Sequence, residues 1–122
     1  MMTAIYARYV DDEKFQKGRV NMAYILQVDF ELDGPFGQEM AEEFSDLAKS
    51  INEEEGFIWK IWTEDSEAKE AGGIYLFQSK ESAQNYLTMH TERLKQFGIE
   101  PVNGKIFEVN ETLTQINNGP IK

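Results

Sequence analysis

His90 is the one imidazole in the chain, and imidazole alone has an unperturbed pKa, ~6.5, suited to proton transfer near neutral pH. Tyr86, Leu87 and Leu94 recur around it at helical spacing, which turns the ring toward an apolar neighbour. The plain reading is a histidine hydrogen-bonded beside the core. The functional reading is a proton acceptor on a cavity wall. Trp59 and Trp62 stand three apart in an aromatic, β-branched run, so their side chains leave opposite faces of a strand. One can pack while the other lines an aromatic pocket and offers its indole N–H. Tyr75 and Tyr86 add phenol hydroxyls. His90 and Trp62 are the candidate catalytic pair, and Phe36, Trp59, Tyr75 and Tyr86 the candidate substrate contacts. Arg93 and Lys95, one turn past His90, could attract an anion, although pairing with Glu92 or with solvent is the simpler role.

These side chains need elements to hold them. Tyr24, Leu26, Val28, Phe30 and Leu32 alternate with Ile25, Gln27, Asp29 and Glu31, which predicts a half-buried strand ended by Asp33-Gly34-Pro35. Phe36, Met40, Phe44, Leu47, Ala48 and Ile51 form one helical stripe running to about Asn52. Residues 57–63 predict a second strand, 64–71 a polar connection, and Ile74 to Phe77 a third strand entered through Gly72-Gly73. A second helix follows Ser79 as N-cap, with Ala83, Tyr86, Leu87, His90, Leu94 and Phe97 on one face and Gly98 as its stop. Lys105 to Val109 predict a fourth strand, and the tail beyond has no clear period. The order β-α-β-β-α-β is the ferredoxin-like α+β arrangement, two helices on one face of a four-stranded antiparallel sheet. Large apolar side chains remain for the other face, and a second copy pairing sheet to sheet would cover them, so a homodimer is expected.

Composition narrows the function classes. A length of 122 residues suits one core, and 41% hydrophobic with 28% charged residues is ordinary for a soluble domain. The chain has no cysteine, which excludes disulfides, thiolate nucleophiles and thiolate metal sites, and a single histidine excludes a site of two imidazoles. A net charge of −10 repels phosphate backbones and anionic lipid, so neither nucleic acid nor membrane is an expected partner. With no spanning apolar run and no secretory start, the expected location is cytoplasmic. Residues 1–21 carry a net +1 against −11 for the rest and are read as an N-terminal extension, leaving 22–122 as the domain. No P-loop, GxGxxG or HExxH pattern occurs, and neither a metal nor a cofactor is expected.

The segments GPFGQEMAEEF (34–44), SINEEEGFIWKIWTE (50–64), EAGGIYLF (70–77), HTERLKQFGI (90–99) and VNETLTQIN (109–117) resemble the YdhR family of mono-oxygenases from about Met22 to Ile116. That resemblance implies the dimeric α/β-barrel superfamily. It also implies cofactor-independent oxygenation of an electron-rich phenol or quinol in an apolar pocket, with His90 taking the proton and a Trp N–H or Tyr hydroxyl stabilising the oxyanion. Heme degradation, known among related proteins, would need an Asn where the first strand offers Gln27. A non-catalytic barrel binding a lipophilic or aromatic small molecule is the alternative, since it needs the same cavity. An interaction protein would have that cavity filled.

Overall fold

Alternation in the first apolar segment becomes β1 (Tyr24–Glu31), with Leu26 and Val28 fully buried on the inward side. The structure is a computed structural model and describes residues 23–121. The expected extension at 1–21 lies outside the described residues. After β1 come α1 (Gly37–Glu43), α2 (Ser45–Ile51), β2 (Phe57–Asp65), β3 (Glu70–Phe77), α3 (Lys80–Gln96), β4 (Asn103–Glu108) and α4 (Glu111–Ile116). The strands form one antiparallel sheet in the order β2-β3-β1-β4, the α+β ferredoxin-like arrangement. Leu26, Val28, Ile51, Tyr75, Phe77, Ala83 and Tyr86 make the core between the sheet and the helices. No helix among the described residues is long and apolar enough to cross a membrane.

Both ends of α3 follow from single residues. The Ser79 hydroxyl accepts the Ser82 backbone N–H at 3.0 Å, satisfying a donor that the first turn leaves open. Gly98 has φ +83, and the bonds Gly98 N–H to Lys95 O and Ile99 N–H to Leu94 O close the helix as a left-handed cap.

Several boundaries differ from the sequence reading. The first helical stripe is broken at Phe44, which leaves helical geometry at φ −99, ψ 11 and separates α1 from α2. The hairpin is longer than predicted, because Asp65 Oδ1 accepts the backbone N–H of Glu67 and Ala68 and closes a tight turn that polar residues alone do not reveal. β4 starts at Asn103 rather than Lys105. The tail holds α4, capped by the Asn110 side chain on Leu113 N–H; six residues are too few to show a period. Phe97, expected on the inward face of α3, is 72% exposed, because it occupies the C-cap, where the backbone has left the helix.

Candidate active site

On the helix side of the sheet lies a cavity of about 520 Å³, bounded by β1, β2 and β3 below, α1 and α2 on one side and α3 on the other. Its wall is mostly apolar, with Phe30, Met40, Phe44, Trp62, Leu94 and Ile99 among its residues. Into it come Lys60 from β2, Tyr75 from β3, and His90 and Arg93 from α3.

A register irregularity explains why a lysine points inward. Strand pairing shifts between Phe57 and Trp59, so Phe57 pairs with Phe77 and Lys60 with Tyr75, both on the helix-facing side. Trp62 follows two residues on and shares that face. Gly73, opposite Trp62, makes room for the lysine stem: a Cβ there would fall 2.5 Å from Lys60 Cε. The ammonium group lies 3.2 Å from the Trp62 ring centroid and 4.7 Å from that of Tyr75. Burial, reinforced by the nearby Arg93 charge, lowers the Lys60 pKa to about 7. The amine is therefore divided between its two protonation states at neutral pH.

His90 is 3% exposed and stacks on Tyr86 with ring centroids 5.1 Å apart. Arg93 Nη2 stands 3.0 Å from His90 Nδ1. A guanidinium can only donate, so Nδ1 accepts and the ring proton sits on Nε2. Arg93 Nη2 also donates to the Tyr86 hydroxyl at 3.3 Å, and that hydroxyl is 3.4 Å from the hydroxyl of Tyr75. Burial first, then Arg93 and Lys60, lower the His90 pKa to about 3. Burial likewise raises both tyrosine pKa values. At pH 7 the site thus holds a permanent cation, a half-charged amine, a neutral imidazole and two neutral phenols. Arg93 Nε is buried without a hydrogen-bond partner.

The His90 shift sets a pH dependence. Above pH 6.5 the ring is neutral in both folded and unfolded chains and contributes nothing. Between 6.5 and about 3 the unfolded chain takes up a proton that the folded site refuses. Stability should therefore fall on acidification by on the order of 1 kcal/mol per pH unit from this residue. Urea denaturation at pH 7 and pH 5 reads the loss, and His90→Gln should lose less than the parent over that interval.

The structure brings together His90, Trp62 and Tyr75 on the cavity wall, with Tyr86 behind them. Trp59 stands on the opposite face, where its Nε1 donates to the Pro120 carbonyl at 2.7 Å. Phe36 occupies the N-cap position of α1 and does not line this cavity. Gln27, in register with Ile74 on the face away from the helices, is exposed. The sequence reading left Lys60 unremarked and did not separate Arg93 from Lys95. One signal is present, the three-residue spacing from His90 to Arg93, which places both on one side of α3.

Residues 25–120 match the family described as "Putative mono-oxygenase ydhR". Among curated proteins no match was found. Solved structures with the same fold include a protein of unknown function from Nitrosomonas europaea, 17% identical over 74% of this chain and 91% of the other, with a TM-score of 0.54. A mono-oxygenase from Streptomyces coelicolor in complex with the ligand nanaomycin D is 16% identical over 74% and 89%, with a TM-score of 0.52. A "putative antibiotic biosynthesis monooxygenase" from Deinococcus radiodurans is 14% identical over 71% and 92%, with a TM-score of 0.50.

Proposed function

The chain belongs to the ydhR mono-oxygenase family, and from that premise we propose that it oxidises a phenolic or quinol-like aromatic with dioxygen inside this cavity, without a bound cofactor. One juxtaposition carries the reading: an amine with a pKa of about 7, held 3.2 Å over the Trp62 ring in an apolar cavity, with Arg93 beside it.

Lys60 is the proton acceptor in this reading. A general base works best with a pKa near the working pH, and His90 at about 3 is too weakly basic, while Lys60 at about 7 is suited. The neutral amine takes the phenol proton and becomes an ammonium already cradled by an aromatic face. Arg93 and the His90 Nε2–H then stabilise the phenolate, which is electron-rich enough to reduce dioxygen directly. Atoms and electrons balance without an outside reductant. A phenol with a free para C–H becomes the quinone, one oxygen atom entering as the new carbonyl. The other leaves as water with the O–H and C–H hydrogens. Dioxygen accepts the four electrons that the ring gives up.

Oxygen-electrode assays on a panel of naphthols and hydroquinones test this. Naphthols with a free para position should consume one O₂ per quinone formed, without hydrogen peroxide. Tight binding of the whole panel with no oxygen uptake would make the protein a ligand-binding barrel.

The reading also includes a second copy. On the face away from the helices Ile61 is 54% and Phe107 46% exposed, and α4 exposes Leu113 and Ile116. Apolar rows of this kind on both edges of one sheet face are more than a monomer ordinarily leaves in water. The face pairs with the same face of another chain. Sedimentation should show a dimer, and Ile61→Asp, which places a charge in the seam, should shift it to monomer. A monomeric parent protein overturns the pairing.

A further inference from the structure

We propose that the ligand of this cavity is an arene carboxylate, its carboxyl group held by Arg93 with the help of His90. The inference rests on the proposed function only for the phenolic ring; the demand for a second, permanently anionic group comes from the site's own donors and acceptors.

Among the polar side chains that converge on the cavity, Lys60 in its ammonium form offers three N–H donors and Arg93 five, and neither cation accepts. His90 has one acceptor, Nδ1, and Arg93 already occupies it. That leaves Nε2–H, which bonds to nothing among the described residues. His90 lines the cavity. The tyrosine hydroxyls are taken up with each other and with Arg93. Among the described residues Glu43 is the one carboxylate on the wall, and it comes from the exposed side of α1. Among the described side chains of the wall, donors thus outnumber acceptors.

Charge points the same way. The hydrogen bonds of Arg93 go to two neutral groups, Tyr86 and His90, and its charge lowers the affinity of both Lys60 and His90 for protons. Two cations that repel each other in an apolar wall carry a desolvation cost that neutral partners do not offset. A phenol arrives neutral and leaves that cost in place until its proton moves. A carboxylate arrives charged, matches the planar guanidinium and lifts the repulsion at once. The overall charge of −10 opposes this weakly. Surface charges act through water and are screened beyond about 8–10 Å, whereas the pair acts at contact in a low dielectric. The rings on the wall select an aromatic body for the acid, and a cavity of about 520 Å³ is in the range of small-ligand sites.

The test compares 2-naphthoate with 2-naphthamide, nearly the same shape without the charge, by calorimetric titration of the full chain at pH 7. The acid should bind at least tenfold tighter. That preference should vanish in Arg93→Gln and persist in Lys95→Gln, two positions further along the same helix. If Arg93→Gln does not fold, Arg93→Lys serves, with the preference reduced but present. Equal binding of acid and amide, no binding of the acid, or a preference that survives intact in Arg93→Gln overturns the proposal. The outcomes separate from those of the oxygenase reading, because binding requires no turnover. An acid-selective protein that consumes no oxygen keeps this inference and loses the chemistry. Oxygen uptake with naphthols and no preference for the acid does the reverse.

Discussion

Lys60→Met should lower kcat on a phenolic substrate by about 10²–10⁴-fold, the range a positioned general base contributes, while the protein stays folded. Methionine has a similar length and suits the Trp62 and Tyr75 rings, so the cavity keeps its shape. Lys60→Arg separates the base from the charge. Arginine keeps a cation beside Arg93 yet cannot release a proton at working pH, so it should fail as badly as methionine. In the parent, kcat/KM should climb with pH through about 7 as the Lys60 ammonium of the unliganded protein loses its proton. The same residue leaves a mark on stability. Below pH 7 both folded and unfolded chains hold the proton. Between about 7 and 10.5 only the unfolded chain holds it, so this residue makes stability rise with pH across that window. Lys60→Met should remove that rise. Full turnover in either variant, with the pH dependence intact, would return the proton acceptor to another residue.

The fold and the candidate site were legible to different depths, and the reasons are local. β1 could be read because every inward residue from Tyr24 to Phe30 is apolar and most outward ones are polar, a signal that only a strand with two different faces produces. Ser79 and Gly98 mark α3 because capping depends on one residue's chemistry rather than on context. The inward turn of Lys60 was not legible. It depends on a pairing irregularity at Ile58 that has no signature in residue types, and a lysine in a strand reads by default as solvated. Trp59 and Trp62 were correctly set on opposite faces by spacing, but which one met the cavity depended on where the strand lay relative to the helices. The Trp59 hydrogen bond to Pro120 joins residues 61 apart, a contact no local pattern encodes. Arg93 and Lys95 differ only by angle around α3, a distinction that matters once the position of the sheet is known.

Gly72 and Gly73 are neighbours on one strand, and the same substitution should act on them in opposite ways. A Cβ on Gly72 would fall 1.9 Å from the Val28 carbonyl oxygen and 2.8 Å from Asp29 Cα. Both are backbone atoms of β1, the central strand paired with β3, and neither can rotate away. Gly72→Ala must therefore separate the two strands or slip their register. A one-residue slip would turn Tyr75 out of the cavity and Leu76 into it. The expected loss exceeds about 4 kcal/mol, the range kept for forced backbone and core disruption. That is a large part of the roughly 5–15 kcal/mol that holds a domain of this size together. At Gly73 the nearest obstacle is Lys60 Cε, part of a flexible side chain that can swing aside. Gly73→Ala should cost under about 1 kcal/mol, within the ordinary range for point changes. It should still lose most of the turnover, because the amine leaves the Trp62 ring. Urea midpoints and kcat measured on the pair should show one variant unfolded and the other folded but slow. A Gly72→Ala protein with the parental midpoint would mean that β1 and β3 lie further apart than the pairing described here.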